Sequence, residues 1–277
     1  MQKMTSSKMQ AFNQKQIFNL IYNKKRISRQ EIAQNLHLSL PTVTQGLKCL
    51  EDACLIERNG FFQSTGGRKS IAYSCVSNAH IAIGSQISMH FIRIVAVDLY
   101  GDVIKRKQID LEFSNCRSYY KQFGEYIDEF AKSLHLSDKR ILGVGIAIKG
   151  VLSHDRSVVV QGIKLNNAGV SLSDFTAWIN YPCQMLHDSD AAAVAEMWYS
   201  PDISDAIYIS LSYDLGGALI VNGQIHQGKE SRSGLIEHLT LIPGGRECYC
   251  GNKGCLSSYC SGRVLLNKDE ETFSDFF

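Results

Sequence analysis

The chain has 277 residues, of which 44% are hydrophobic and 20% are charged. These fractions exclude a disordered tail, a collagen and a small disulfide-stapled scaffold. Apolar runs such as residues 92–99 are too short to cross a bilayer. Residues 1–8 carry positive charge, but no apolar stretch of an export signal follows them. The sequence therefore predicts a soluble, cytoplasmic chain with no membrane partner.

The charges are unevenly distributed along the chain. Residues 1–80 contain eleven Lys and Arg and four acidic residues, a balance of +7. The remaining residues contain eighteen basic and twenty-three acidic residues, a balance of −5. This asymmetry predicts a polyanion-binding head, residues 1–76, joined to a body, residues 77–277, that binds something else.

The head has the pattern of three helices. Apolar residues at helical spacing, from Met9 to Ile21, predict the first helix. Ser28 and Glu31 form a capping box that begins the second, and Ser39 can cap a third helix that tolerates Pro41 in its first turn. The third helix buries three residues: Val43, Leu47 and Leu50. A short helix, a tight turn and a helix with a polar outer face predict a helix-turn-helix whose second helix enters the major groove.

A two-stranded wing is predicted after these helices. Residues 55–58 and 61–63 flank Asn59-Gly60, a strong hairpin-turn signal, and residues 65–69, Thr-Gly-Gly-Arg-Lys, close the wing. Residues that contact DNA are predicted on both parts: Thr42, Thr44 and Gln45 at base edges, and the cations Arg29, Lys48, Arg68 and Lys69. A three-helix protein-interaction module with a solvated charged face is the alternative.

The body alternates strands and helices, which predicts an α/β domain. Strands are predicted at Ile81–Ile87, 91–99, 103–104, Ile141–Ile148, Ala206–Leu211 and 217–221. Helices are predicted at residues 119–134 and 191–199, the latter capped by Asp188 or Asp190.

Nine cysteines without an export signal indicate reduced thiols. Cys248, Cys250 and Cys255 follow a C-x-C-x4-C spacing, with His238 ten residues upstream, and can close a Cys3His tetrahedron around structural zinc. A histidine satisfied in a core is the alternative for His238. The other cysteines are predicted to be buried small residues: Cys49, Cys54, Cys75, Cys116, Cys183 and, on a helix, Cys260.

Residues 245–256, Gly-Arg-Glu-Cys-Tyr-Cys-Gly-Asn-Lys-Gly-Cys-Leu, preceded by His238, resemble the signature of the ROK family of repressors, open reading frames and sugar kinases. Residues 28–69 resemble the winged helix of its repressor branch, and residues 186–192 its sugar-site aspartate motif. The resemblance implies an actin-like, ribonuclease-H-like sugar-kinase fold from about residue 80. It also implies zinc ligation by His238 and a chain that stops early: a first lobe at 77–185 and an incomplete second lobe at 186–277. In that case Phe273, Phe276 and Phe277 would form an exposed apolar patch.

Both phosphate loops of the family's kinases are altered in this chain. Residues 84–88, Gly-Ser-Gln-Ile-Ser, stand where the resemblance implies Asp-x-Gly-Gly-Thr. Residues 212–217 replace a Gly-Thr-Gly, and Asp214 there would repel phosphate. The chain is therefore predicted to have no kinase activity.

The resemblance places an effector-sugar site at His187, Asp188, Asn166, Asn167 and His238. Asp188 matches the kinases' catalytic base and here would accept a hydrogen bond from a sugar hydroxyl; a plain helix cap is the alternative. Two carboxylates of the family are missing, at Leu235 and Ser257, which implies altered ligand choice or none. Glu237 is either a partner that supports the zinc histidine or a solvated side chain.

Together these features predict a repressor of carbohydrate metabolism that binds a palindromic operator as a homodimer and responds to a sugar or sugar phosphate. A ROK sugar kinase with an extra domain is one alternative. A protein-interaction module that docks a sugar-transport component is the other.

Overall fold

A computed structural model describes residues 5–63 and 69–265. The chain divides into two compact units, Met1–His80 and Ile81–Phe277. Among the described residues, no helix has both the length and the apolar character that a membrane span requires. The wing residues Thr65, Gly66, Gly67 and Arg68, and the three terminal phenylalanines, lie outside the described ranges.

The first unit contains three helices, as the sequence predicts: α1 (Ser6–Lys24), α2 (Arg29–Leu36) and α3 (Leu40–Asp52). The capping box of α2 is complete, because Ser28 Oγ accepts from the Glu31 amide and Glu31 Oε2 accepts from the Ser28 amide. The Ser28 hydrogen bonds lower the pKa of Glu31. Ser39 caps α3, so side chains set the start of both helices.

The helices of the first unit pack around one small apolar core. Its fully buried members include Ile17, Ile21, Ile32 and Val43, with Leu47 only 2% exposed. The predicted inner face of α3 is confirmed. The start of α1 differs from its predicted amphipathic pattern, because Met9 and Phe12 are about half exposed.

A three-stranded antiparallel sheet, in the order β1-β3-β2, completes the first unit. Its strands are β1 (Ile27–Ser28), β2 (Ile56–Phe61) and β3 (Ile71–Cys75). The prediction of a hairpin turn at Asn59-Gly60 was wrong. These two residues lie within β2, where the pairing register shifts between Arg58 and Phe61 and Gly60 has φ +73°. Asn59 and Gly60 therefore form an irregularity within β2 and not a turn, and the strands of the wing are β2 and β3.

The second unit begins with a five-stranded sheet in the order β10-β7-β4-β5-β6. Its strands are β4 (Ile81–Ile87), β5 (Phe91–Val97), β6 (Val103–Asp110), β7 (Ile141–Ile148) and β10 (Cys183–His187). β7 pairs parallel with β4 and β10, whereas β5 and β6 form an antiparallel meander beside β4. A short pair, β8 (Val151–Leu152) and β9 (Val159–Gln161), follows β7.

Two helices supply an aromatic core to this unit: α4 (Arg117–Lys132) and α5 (Leu172–Thr176). Phe123 and Phe175 are fully buried, and their rings meet edge to face with centroids 5.2 Å apart. α4 approaches the chain after α5 closely at Gly124, where a Cβ would lie 2.5 Å from the carbonyl oxygen of Trp178. The absence of a side chain at Gly124 therefore permits this packing.

A second sheet, in the order β11-β12-β13, follows helix α6. Its elements are α6 (Asp188–Tyr199), β11 (Ala206–Leu211), β12 (Leu215–Val221) and β13 (Gln224–Ile225), and two short helices close the described chain, α7 (Ser257–Cys260) and α8 (Gly262–Leu265). The prediction that Asp188 or Asp190 caps α6 was wrong. The cap position is His187, which makes no side-chain cap bond, and both aspartates lie in the first turn, where their charge suits the helix dipole.

Replacing Gly124 with alanine tests the close approach at α4. We expect Gly124→Ala to lower the free energy of unfolding by about 1–3 kcal/mol, since overpacking against Trp178 exceeds the gain in helix propensity. Urea denaturation of the full chain measures the change. Lys121→Ala, an exposed position in the same helix, should change stability by less than about 0.5 kcal/mol. Equal or greater stability of Gly124→Ala would contradict this packing.

Candidate functional site

The outer face of α3 presents the side chains predicted to read bases. Thr44, Gln45 and Lys48 are exposed, and Thr42 is half exposed. The Thr42 hydroxyl lies 2.8 Å from Ser39 Oγ, and Thr44 Oγ1 donates to the carbonyl oxygen of Leu40 at 2.8 Å. Both threonine hydroxyls are thus held by their own helix, whereas Gln45 and Lys48 are presented one turn later.

Arg29 belongs to the same face. Its Nη1 donates to Thr44 Oγ1 at 3.3 Å, although the two residues lie on different helices. This contact brings a guanidinium from the start of α2 beside the outer face of α3. A cation in this position suits a backbone phosphate flanking the bases.

The wing is attached to the helices through arginines. Arg26 Nη2 donates to the carbonyl oxygen of Phe61 at 3.0 Å, and its guanidinium lies 5.1 Å from the Phe62 ring centroid. Arg58 pairs with Glu51 of α3 at 2.7 Å. Lys69 is exposed at the end of the described wing, and Arg68 lies outside the described residues.

The second unit contains a cluster of possible metal ligands. One atom each from His238, Cys248, Cys250 and Cys255 lies within 4.8 Å of the others. The Cys250 and Cys255 sulfurs are 3.7 Å apart, and Cys248 Sγ lies 3.6 Å from His238 Nδ1. Tetrahedral zinc, with bonds of ~2.3 Å to sulfur and ~2.0 Å to nitrogen, would place two sulfurs about 3.8 Å apart and a sulfur and a nitrogen about 3.5 Å apart. These two spacings match those of a tetrahedral four-coordinate ion.

Backbone turns bring the four ligands together. His238 ends a short 3-10 helix, Ile236–His238. The Cys248 amide donates to the carbonyl of Asn252 at 2.8 Å, and the Gly254 amide donates to the carbonyl of Arg246 at 2.7 Å. Gly254 has φ +86°, and a Cβ there would collide with the carbonyl oxygen of Ile242. Glycine is thus required for the last turn before Cys255.

The surroundings of His238 and Cys248 favour their metal-binding protonation states, whereas burial and the neighbouring Cys250 and Cys248 raise the pKa of Cys255 to about 12. Burial and the positive charge of Lys164 lower the pKa of His238, which favours the neutral imidazole. Burial would raise the pKa of Cys248, but hydrogen bonds from the Cys250 backbone and the Ser257 hydroxyl bring it to about 7. A thiolate and a neutral imidazole are the forms that bind metals.

Beside the cluster lies a cleft of about 1120 Å³. It is lined by the carboxyl ends of β4, β7 and β10 and by the β11–β12 turn. It is also lined by the loop of residues 248–255 that carries the three cysteines, here called the metal loop. His187, Asp188 and His238 line it, as does Leu235. Asn166 and Asn167 are not part of its lining; Asn167 is fully buried, and its Nδ2 donates to the carbonyl of Lys149 at 2.8 Å.

Two carboxylates of the cleft differ in their surroundings. Asp188 Oδ1 accepts from the Ser189 amide at 2.9 Å and lies 3.4 Å from His187 Nε2. Glu237 is only 6% exposed, and its Oε2 has no hydrogen-bond partner among the described residues. The interpretation of Glu237 as a solvated side chain was wrong, and its burial raises its pKa.

Asp214 lies at the predicted second phosphate loop, residues 212–217, and binds three cations. Lys149 Nζ donates to Oδ2 at 2.5 Å, Lys164 Nζ donates to Oδ1, and Arg263 Nη2 donates to Oδ1 at 3.1 Å. Burial would raise the pKa of Asp214, but the bonds and charges of Lys149 and Lys164 lower it to about 2. The first altered loop belongs to β4, where Ser85 Oγ donates to the carbonyl of Gly145 at 3.1 Å.

Sequence reasoning missed the three cations around Asp214. They lie 49 to 65 residues from Asp214, so no local spacing connects them. The one available signal was Lys149, a charged residue directly after the buried strand Ile141–Ile148.

Two cysteine predictions were also wrong. Cys54 and Cys260 are exposed. Cys54 lies in the turn after α3 with φ +55°, and Cys260 ends the four-residue α7, so neither position faces a core.

The pH dependence of stability tests the Asp214 cluster. Because the folded-state pKa is about 2 and the ordinary value is 3.8, the carboxylate contributes stability above pH 4, and this contribution is lost as the pH falls towards 2. We expect Asp214→Asn to cost about 2 kcal/mol in the free energy of unfolding at pH 7 and progressively less below pH 4. Urea titrations at several pH values measure both.

Asp128→Asn is the matched control, because Asp128 forms only an exposed pair with Lys132. Its cost should stay below about 1 kcal/mol. A cost for Asp214→Asn that does not change between pH 7 and pH 3 would contradict the cluster's electrostatic role.

Comparisons with known proteins agree with this architecture. Residues 82–274 match the model of the ROK family, and residues 13–53 match a winged helix-turn-helix DNA-binding model. The chain is 25% identical over 263 residues to the xylose repressor of Caldicellulosiruptor bescii, covering 94% of this chain and 66% of that protein. It is 25% identical over 257 residues to the DNA-binding transcriptional dual regulator NagC of Escherichia coli, covering 91% of this chain and 63% of that protein.

A solved ROK family transcriptional regulator, described as a homologue of the E. coli MLC protein, has the same fold, with a TM-score of 0.70 at 22% identity. The match covers 93% of this chain and 66% of that structure. The chain thus spans about two thirds of the length of these relatives. Its fold is an N-terminal winged helix-turn-helix followed by an actin-like, kinase-type α/β domain, and the chain belongs to the ROK family.

Proposed function

We propose that this chain acts as a DNA-binding transcriptional repressor of carbohydrate metabolism. Residues 1–76 would bind a palindromic operator as part of a homodimer, and the domain from residue 77 onward would bind a small sugar or sugar phosphate. Relatives named as a xylose repressor and as NagC support this assignment.

One observation carries the proposal: the chain combines a capped recognition helix with a cleft in which a carboxylate, Asp214, lies at the predicted second phosphate loop. Gln45 and Lys48 are exposed on the helix. In the cleft, Asp214 lines the wall together with Lys149, Lys164 and Arg263. Asp214 bonds all three of these cations, so a nucleotide triphosphate would have to compete with a carboxylate for them, and the cleft is suited to sensing a ligand and not to phosphorylating it.

The effector site would include Asp188 and His187, which line the cleft. Asp188 retains one carboxylate oxygen for a sugar hydroxyl, since Oδ1 already accepts from the Ser189 amide. His238 lines the same cleft and lies in the metal cluster. A ligand here would therefore contact residues adjacent to the metal loop.

We assign zinc to the cluster of His238, Cys248, Cys250 and Cys255, in a structural role. Three cysteine sulfurs and an imidazole nitrogen within 4.8 Å of one another match the ligand preference of zinc, and four protein ligands leave no open position for catalysis. Zinc would hold residues 248–255 against the 3-10 helix that carries Glu237.

Removal of one ligand tests the zinc assignment. Purified chain should contain one zinc per chain, and Cys255→Ser should lose most of it and unfold at lower temperature, because three ligands bind zinc less tightly. Elemental analysis and thermal denaturation measure these outcomes. Cys260→Ser is the control, since Cys260 is exposed and outside the cluster. Full zinc content in Cys255→Ser would contradict the assignment.

Selection of DNA fragments tests the regulator function. Purified, zinc-loaded chain is mixed with fragments of the source genome at moderate salt, with and without a panel of sugars. Recovery of one or a few palindromic sites, released or tightened by one sugar, supports the proposal. Binding that is indifferent to sequence, or sugar-dependent ATP hydrolysis that Asp188→Ala abolishes, would contradict it.

Two substitutions should separate base reading from phosphate binding. Gln45→Ala should relax preference at one base position, at a cost of about 1–3 kcal/mol for the preferred site. Lys69→Gln should weaken binding to all sequences, because one cation no longer neutralises a phosphate. The slope of the logarithm of the binding constant against the logarithm of the salt concentration should fall by about 1. Fluorescence titrations at several salt concentrations measure both effects. Lys139→Gln, at an exposed position in the second unit, is the control and should leave the base preference and the salt dependence of binding unchanged. An unaltered salt dependence in Lys69→Gln would exclude a phosphate-binding role for this wing residue.

A further inference from the structure

We propose that the cleft selects an anionic sugar, a phosphate ester or a sugar acid, and that Lys149, Lys164 and Arg263 bind its negative group. This inference rests on the proposed effector role of the cleft and names the class of effector. The observations that carry it are the excess of cations in the lining, their convergence on one carboxylate and an unpartnered acceptor elsewhere in the same cleft.

The cleft lining has a positive balance of charge. Five cationic side chains line it, against the carboxylates of Asp188, Asp214 and Glu237: Arg93, Lys149, Lys164, Arg232 and Arg263. Two of these cations bond neutral amides at 2.9 Å, Arg93 to Gln108 and Arg232 to Gln161, and Arg232 also lies 4.0 Å from Glu230, which is outside the lining. The balance is therefore +2 when all three carboxylates are ionised.

Most of this excess is concentrated around Asp214. Three cations share its single negative charge, which leaves a local balance of +2. The side chains of Asp214 and Lys164 are only 15% and 18% exposed, so water screens these charges weakly. A phosphate monoester carries about −1.5 to −2 at pH 7 and would neutralise this excess.

The cations retain donors for a ligand. An ammonium group has three N–H donors, and among the described residues Lys149 and Lys164 each donate one hydrogen bond to Asp214. The three cations meet at Asp214, although the Lys164 ammonium also lies 4.1 Å from the Tyr249 ring centroid. Several charge-assisted donors on one oxygen group are the usual basis of phosphate and carboxylate recognition.

A second, independent feature points to a ligand with hydroxyl groups. Glu237 is 94% buried and lines the cleft, yet its Oε2 lacks a hydrogen-bond partner among the described residues. A buried unpaired carboxyl oxygen is costly unless a donor reaches it. A sugar hydroxyl can donate to Glu237, as it can to Asp188, while the anionic group binds the cations.

Asp214 then bonds the same cations that the ligand's anionic group would bind. In the unliganded cleft it holds the three cations in place, and the arriving group competes for the same donors. Removing this competitor should strengthen the binding of an anionic sugar and leave a neutral sugar unaffected. This change has the opposite sign from the loss that a purely structural cluster would produce.

Isothermal titration calorimetry with matched ligands tests the inference. The zinc-loaded full chain is titrated with sets of three ligands built on the same sugar ring: a neutral aldose, its terminal phosphate ester and its terminal carboxylic acid. Each set is a trio, and inorganic phosphate is a separate probe. We expect one anionic member to bind at least about tenfold more tightly than its neutral partner, the contribution of one charge-assisted hydrogen bond. The trio member that binds more tightly identifies phosphate or carboxylate as the recognised group.

Substitutions in the cluster around Asp214 test whether its cations cause the preference for the anionic sugar. Lys149→Gln and Arg263→Gln should each reduce the preference about tenfold with little change for the neutral sugar. Asp214→Asn should instead raise the affinity for the anionic member. Lys107→Gln is the control, because Lys107 pairs with exposed Glu129 and is not part of the cleft lining. Circular dichroism confirms that each variant is folded.

Three outcomes would overturn the inference. Equal affinity for neutral and anionic members leaves the proposed sugar-responsive regulator intact but removes the anion selectivity. Inorganic phosphate that binds as tightly as the sugar phosphate indicates an adventitious anion site only. No binding by any sugar removes both the inference and the effector part of the proposed function, and the DNA selection then tests the remaining part.

Discussion

The carboxylate of Asp214 connects segments of the second unit that are far apart in the sequence. Lys149 follows a strand of the five-stranded sheet, Lys164 lies in the loop after β9, and Arg263 belongs to α8 after the metal loop. Asp214 itself lies in the turn between β11 and β12. One anion that attracts three half-buried cations therefore holds the walls of the cleft at a fixed distance. The shape of the proposed effector site depends on this electrostatic contact.

Lys164 extends this contact to the metal loop. Its ammonium lies 4.1 Å from the ring centroid of Tyr249, which stands between Cys248 and Cys250. The Tyr249 ring in turn meets the His238 ring edge to face at 5.0 Å. A continuous series of contacts thus runs from Asp214 through a cation and an aromatic ring to a metal ligand.

The first unit is built on more local interactions. Serine caps begin α2 and α3, and Arg29 reaches across from one helix to Thr44 of the other. Threonine hydroxyls that bond within α3 stiffen the surface on which Gln45 and Lys48 are displayed. A recognition face held in this way is ordered before it meets DNA, which reduces the entropy lost on binding.

Sequence by itself determined the elements whose signals are local. The capping box of α2, the serine cap and buried face of α3, the strands Ile81–Ile87 and Ile141–Ile148, and the Cys3His spacing were all predictable because each depends on residues within one helix, strand or short loop. The prediction of a hairpin turn at Asn59-Gly60 was wrong because β2 continues through these residues, with a shift in its pairing register against β3. The aspartate cap of α6 failed because the helix begins one residue earlier than a cap requires.

Only the tertiary structure decided what surrounds Asp214 and Glu237. From the sequence alone, Asp214 is a lone acid that repels phosphate, and Glu237 is a side chain beside a zinc histidine. Folding gathers Lys149, Lys164 and Arg263 around the first and buries the second without a partner among the described residues. The physical reason is that electrostatics and burial depend on distance in space, and contacts between residues 49 to 65 positions apart leave no periodic trace in a single sequence.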